Sequence, residues 1–152
     1  MIQRHDDPWE DPEFLAILSL YEAGLAAMDP RYPPGRTITF LDVPGIHTHV
    51  AREDGQIIGF IVCEVREDHS EIHELYVVPE RRDGIVFRRL IGQALIAGIP
   101  LVFNVFKANE RVLRLVAHVF ERHCLAAAKI EEQEVWGVPS MHYELPPDTR
   151  LP

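Results

Sequence analysis

Residues 71–97, EIHELYVVPERRDGIVFRRLIGQALIA, read in direct succession as a strand, a short turn rich in arginine and glycine, and an amphipathic helix. This layout makes an anion site. A helix begins with amide groups that lack intrahelical acceptors and with the positive end of its dipole, so an anion settles there if side chains leave the backbone bare. Gly84 supplies that bare backbone, with Arg81 and Arg82 before it and Arg88 and Arg89 one turn inside the helix. Val86, Leu90, Ala94 and Leu95 give the helix one apolar stripe.

Upstream, Asp11-Pro12-Glu13 supplies a cap, a proline for the first helical position and an acid for the first turn. Phe14, Leu18, Tyr21 and Leu25 follow at helical spacing, so a first helix is expected over 12–28. Asp29-Pro30 ends it, and Pro33-Pro34-Gly35 marks a loop. HTHVARE and QIIGFIVCEV flank Asp54-Gly55, a dipeptide suited to the positive dihedrals of a two-residue hairpin turn. Ile99 to Phe106 reads as a buried strand, and a helix from Asn109 turns Val112, Leu115, Val116, Val119 and Phe120 inward. Val135-Trp136 and Met141 to Leu145, separated by Gly137 to Ser140, are expected to close the sheet. Trp136, Phe103 and Phe106, on predicted strands, are assigned to the core.

At 152 residues, with 47% hydrophobic and 26% charged, the chain is read as one domain over 1–152 with a flexible tail at 146–152. A formal charge of −9 argues against nucleic acid as the main partner and suits an amine-bearing one. No apolar run approaches a membrane span, the N-terminus is acidic where a signal peptide would be basic, and Cys63 and Cys124 read as buried thiols. A cytoplasmic location is expected. His47 and His49 stand two apart on a predicted strand, a spacing zinc can use, but no third ligand accompanies them and no metal is expected.

Three features resemble the GNAT acyltransferase superfamily in their order along the chain. GQIIGFIVCEV resembles that family's hairpin, ELYVVPERRDGIV its strand and pyrophosphate loop, with Arg81, Gly84 and Val86 in the motif positions, and VFKAN followed by VFERHCL its later strand end and helix. The resemblance implies an α/β fold, α+β mixed. A twisted, mostly antiparallel central sheet of about six or seven strands would be flanked by about four helices. It also implies transfer of an acetyl group from acetyl-CoA to a primary amine of a small molecule or protein. Main-chain groups of Leu75, Tyr76 and Val77 would then pair with the pantetheine, Arg82, Asp83, Gly84, Ile85 and Val86 would hold the pyrophosphate, and Asn109 would fix the pantetheine or cap its helix. Arg88 and Arg89 could reach the ribose phosphate or simply face solvent.

Such chemistry needs a base, because an amine attacks a thioester only when neutral. Strict alternation puts Glu71, His73, Leu75 and Val77 on one face of the strand and Ile72, Glu74, Tyr76 and Val78 on the other. Glu71 and His73 fall where related branches carry their bases, with Glu74 the next candidate. The alternative is that all three solvate an open sheet face. There are departures from the family pattern. Val86 stands in place of a small residue, the approach to Gly84 is one residue short, and Cys124-Leu125 replaces a Gly-Phe pair. The position that often carries a tyrosine acid falls on Phe120 or Val116. These departures motivate a second expectation, a non-catalytic binding module on the same fold. Pairing through the sheet or the tail could make a homodimer.

Overall fold

The computed structural model describes residues 1–81, 84–96, 98–122 and 129–150. Along the chain it forms β1 (Ile2–His5), α1 (Pro12–Met28), β2 (Ile46–Glu53), β3 (Gln56–Val65), β4 (Ser70–Val77), α2 (Ile85–Ala94), β5 (Leu101–Phe106), α3 (Glu110–Arg122), β6 (Lys129–Val135) and β7 (Val138–Leu145). The seven strands make one sheet in the order β1-β2-β3-β4-β5-β7-β6. Every neighbouring pair is antiparallel except β4 and β5, which are parallel because α2 carries the chain across between them. This is the mixed, mostly antiparallel α/β architecture expected. The described residues hold three α-helices rather than about four.

Local chemistry accounts for the elements. The Asp11 side chain accepts a hydrogen bond from the Glu13 amide at 2.9 Å, and Pro12 needs no partner at the first helical position of α1. The β2–β3 hairpin turns on Asp54 (φ 51°) and Gly55 (φ 79°), the positive pair that the dipeptide suggested. β3 is apolar on both sides because both sides are covered. Phe60 and Val62 pack with Phe14 and Leu18 of α1, while Ile61 and Cys63 pack with α2 and α3 through Leu90, Ile91, Val116 and Phe120.

Several expectations need correction. The stripe of α2 is Phe87, Leu90, Ile91 and Ala94, with Val86 and Leu95 packed at its margin. The last hairpin turns on Trp136 (φ 52°) and Gly137 (φ 77°) alone, so Val138 to Ser140 belong to β7 and Trp136 is 41% exposed instead of core. Phe103 and Phe106 are buried as expected. β1 was not foreseen, since four half-polar residues carry little periodic signal.

The alternation along β4 fails at His73. β3 and β4 pair Val62 with Glu74 and then Cys63 with Ile72, leaving His73 as an extra residue in a bulge. One inserted residue reverses the faces of everything beyond it. Ile72 therefore joins Leu75 and Val77 against α2 and α3, and Glu74 turns toward α1 together with Tyr76. Glu71, His73 and Glu74 come to one cavity, where strict alternation had separated Glu74 from the other two.

Gly59 of β3 permits close packing at the sheet centre, because a Cβ there would lie 2.8 Å from the Tyr76 carbonyl oxygen and 3.2 Å from Leu90 Cδ1. Gly59→Ala is expected to cost about 1–3 kcal/mol. Chemical denaturation followed by circular dichroism checks this, and an unchanged midpoint would show that β3 and β4 separate freely.

Candidate active site

The pairing of β4 with β5 stops early. It runs from Ser70↔Leu101 to Ile72↔Phe103, yet β4 continues beside β3 to Val77 and β5 continues beside β7 to Phe106. Each strand follows its other partner, so the two diverge within the sheet. A cavity of about 360 Å³ fills the opening. Tyr21 and Leu25 of α1 line it, as do Phe87 and Ile91 of α2 and Val116 of α3, so it has access to helices on both faces. Polar groups gather on its walls: Glu71, His73 and Glu74 from β4, Asn104 from β5, and Arg36 and Arg66 from the flanking segments.

Glu74 is only 4% exposed. The Tyr21 hydroxyl donates to its Oε2 at 2.5 Å, and the Thr37 hydroxyl donates to its Oε1 at 3.1 Å. Burial penalises the carboxylate and pushes its pKa up to about 7, against the opposing pull of these two bonds and of Arg36, while Glu22 adds to the rise. Tyr21 is held edge-on to Phe60 at 5.6 Å between ring centroids. Burial first, and then the Glu74 charge, drive the phenol well above its ordinary pKa, so it remains a donor at neutral pH.

Glu71 and His73 belong to a different network. His73 Nε2 lies 3.3 Å from Glu64 Oε2, and its ring stands 5.2 Å from that of Phe40. Arg66 bridges the acids, with Nε 2.9 Å from Glu64 and Nη2 3.5 Å from Glu71. Partial burial raises the Glu64 carboxyl, but its bonds to Arg66 and His73 more than offset this and hold it below the usual range. Ligand atoms of Glu64, Glu71 and His73 fall within 4.8 Å of one another, a separation a metal could use. A guanidinium shared by both carboxylates already supplies the positive charge such a site would need, so the cluster is better described as a salt-bridge network. His47 and His49 sit on β2 opposite Cys63 and Ile61, where burial and then Arg4 lower both imidazoles. Burial pushes the Cys63 thiol up to about 11, as fits an inert core cysteine.

Across the sheet, Gly84 takes φ 91° immediately before α2, and a Cβ there would press to 3.3 Å from Leu115 Cδ1. The side chain of Val86 packs against the core. Arg81 is engaged by Glu53. Arg82 and Asp83 lie outside the described residues, as do His123 and Cys124. Leu75, Tyr76 and Val77 occupy the part of β4 beyond its pairing with β5. Asn109 accepts a bond from the Val112 amide at 3.3 Å, which makes it the cap of α3, and it also lines the cavity. Arg89 is exposed and Arg88 partly buried. Phe120 and Val116 are core residues without a hydroxyl, and Tyr143 is stacked on Phe103 at 5.0 Å with its phenol raised by burial.

Sequence reasoning missed the groups that complete the cavity. Tyr21 and Thr37 gave no sign of meeting Glu74, since partners 53 and 37 positions away leave no local pattern. Arg36 lies with its guanidinium carbon 4.5 Å from the Trp136 ring centroid and 5.1 Å from that of Phe40. Tyr32 is 2% exposed, and its ring stands 5.8 Å from Trp136. Its hydroxyl, with Thr37 as polar neighbour, has no partner at hydrogen-bonding geometry among the described residues.

Residues 9–120 match the acetyltransferase (GNAT) family. No curated protein matches the chain by sequence. Among solved structures, an aminoglycoside 6'-N-acetyltransferase complexed with coenzyme A superposes with a TM-score of 0.65 at 16% identity, covering 100% of this chain and 99% of that one. The aminoglycoside 6'-N-acetyltransferase of Enterococcus faecium gives 0.62 at 14% identity, with 100% and 99% covered. An acyl-CoA N-acyltransferase from Pseudomonas aeruginosa gives 0.63 at 15% identity, with 96% and 99% covered. At such identities the superpositions speak for the fold. The family match covers well over half of the chain, and the protein belongs to the GNAT acetyltransferase family. It is a transferase enzyme, with acyl transfer as its class of reaction and an acyl-CoA as its class of donor.

Burial of Glu74 has a consequence for stability. Its carboxyl titrates near 7 when folded, against 4.5 as the ordinary value, so the unfolded chain ionises first as pH rises. The contribution is fully present below pH 4.5 and is lost as pH rises through 7. Relative to Glu74→Gln, the wild-type protein should lose on the order of 3 kcal/mol across that interval. Urea unfolding of both proteins at the two ends measures it, and parallel pH dependences would place Glu74 in contact with water.

Proposed function

We propose that the protein is an acetyl-CoA-dependent N-acyltransferase that moves an acetyl group to a primary amine of a small molecule or protein. We read residues 1–152 as a single catalytic domain working in the cytoplasm. The observation that carries this reading is the buried Glu74 carboxyl, titrating near 7 beside the opening between β4 and β5. A base is most effective when its pKa lies near the working pH. Glu71 and His73 line the same cavity but are committed to Arg66 and Glu64. In this reading the carboxylate of Glu71 adds negative charge that draws the substrate ammonium toward the opening, and Glu74 accepts its proton through one intervening water.

The neutral nitrogen then attacks the thioester carbonyl carbon, the carbon–sulfur bond breaks, and the thiolate leaves to take a proton from solvent. The products are an amide, free coenzyme A and one released proton. For the donor, main-chain groups of Leu75, Tyr76 and Val77 would meet the pantetheine, and the segment from Arg82 to Val86 would hold the pyrophosphate. Support comes from the strand end left beyond β5 and from the left-handed Gly84 before α2. The inward packing of Val86 removes the crowding that its branched side chain would otherwise cause.

Calorimetry should show acetyl-CoA binding, and thiol release should follow with members of a primary amine panel. The rate should rise with pH through about 7. Glu74→Gln should lower kcat by about 10²–10⁴-fold. Tyr21→Phe removes a bond that favours the carboxylate, so it should move the acidic limb of the profile to higher pH. Full activity in Glu74→Gln, with loss in Glu71→Gln or His73→Ala, would assign the base to the other network.

A further inference from the structure

Arg36 is the charged group on the cavity wall that the acyl-transfer reading leaves unused. It comes from the loop after α1, is partly buried, and lies over the rings of both Phe40 and Trp136. Contacts of this kind hold the cation by attraction to the ring face and do not use its N–H groups as hydrogen-bond donors to a carboxylate. Among the described residues no carboxylate lies within ion-pairing distance of Arg36, whereas Arg66 on the same cavity is shared by Glu64 and Glu71. Tyr32, braced against Trp136, adds a buried hydroxyl that, among the described residues, has Thr37 as its polar neighbour and meets no partner at full hydrogen-bonding geometry. One wall of the cavity thus presents donors, and β4 presents acceptors in Glu71 and Glu74.

Resting on the acyl-transfer reading, we infer that the acceptor is a small amine that also bears a carboxylate, which Arg36 binds while the amino group faces Glu74. A planar guanidinium with an oriented fork matches a carboxylate through two parallel hydrogen bonds. Donor phosphates are a poorer match for Arg36. Their proposed loop precedes α2, whereas Arg36 is in the loop that follows α1, on the opposite side of the sheet. The cavity volume of about 360 Å³ suits a small acceptor. Arg36 also favours the ionised form of Glu74, so any effect on catalysis common to all amines must be separated from recognition.

Matched acceptors make that separation. δ-Aminovalerate and pentylamine, β-alanine and propylamine-type pairs, and α-amino acids with their decarboxylated amines differ chiefly in the carboxylate. Binding is read from Trp136 fluorescence in a Trp9→Phe background, and turnover from thiol release with acetyl-CoA. At least one carboxylated member should bind about 10- to 100-fold more tightly than its partner. Arg36→Gln should bring that ratio near one, and Arg36→Lys, which keeps charge without the fork, should restore it only in part. Because the ratio compares two acceptors in one variant, a shift in Glu74 common to both cancels.

Equal binding of both members of every pair overturns the inference, as does a ratio that survives Arg36→Gln. Tighter binding of the plain amine by Arg36→Gln also overturns it, by showing that Phe40 and Trp136 form a cage for a cation. Turnover without carboxylate preference sinks the inference and leaves acyl transfer standing. Carboxylate-dependent binding without thiol release sinks acyl transfer from acetyl-CoA and leaves the recognition site standing.

Discussion

The parting of β4 from β5 beyond Ile72 and Phe103 is the constraint on which the rest of the structure depends. A continuous sheet would satisfy its backbone along the whole edge and leave no passage between its two covered faces. Here β4 keeps its partner β3 and β5 keeps β7, so each strand remains paired on one side while their shared ladder ends. The fold therefore tolerates an opening at its centre without losing either strand. In the proposed reading, donor and acceptor approach the same strand from opposite faces, which suits transfer of a group between two molecules that are not alike.

The bulge at His73 works with this opening. By inserting one residue against β3, it places Glu74 on the α1 side, where Tyr21 and Thr37 can hold it, and leaves Ile72, Leu75 and Val77 for the core beneath α2. A carboxyl in such surroundings is costly to ionise, and two donated hydrogen bonds recover only part of that cost. The outcome is an acid whose affinity for a proton is matched to neutral pH. Without the bulge Ile72 and Glu74 would share a face, so either Ile72 would leave the cluster beneath α2 or Glu74 would enter it, and fold and chemistry are tied to the same inserted residue.

Much of the fold was legible in the sequence because its signals are local. The cap at Asp11, the positive pair at Asp54-Gly55 and the helical stripe of α3 each lie within a few residues of what they determine. The bulge left no such mark, since Glu-Ile-His-Glu-Leu-Tyr-Val reads equally well with or without an inserted residue. Trp136 was misassigned for a related reason: an aromatic residue beside glycine resembles a strand end, yet the two-residue turn takes both positions. Glu71, His73 and Glu74 were found from residue type, but their ranking depended on Arg66, Glu64, Tyr21 and Thr37, which reach them through tertiary contacts. Arg36 over two rings is likewise a product of loop closure.

The apolar identity of Val116 and Phe120 bears on which half of the chemistry the protein must supply. An alkylammonium, like lysine, holds its proton up to about pH 10, so at neutral pH the nucleophile is almost wholly unavailable without a base. A thiol resembling that of cysteine titrates near 8.5, so its anion is a tolerable leaving group and gains little from a donor. The two proton transfers therefore make unequal demands on the site. In the proposed reading, a buried carboxyl near 7 would address the harder one. Solvent entering through the opening between β4 and β5 can meet the easier one, so a core free of hydroxyl groups at Val116 and Phe120 is compatible with turnover.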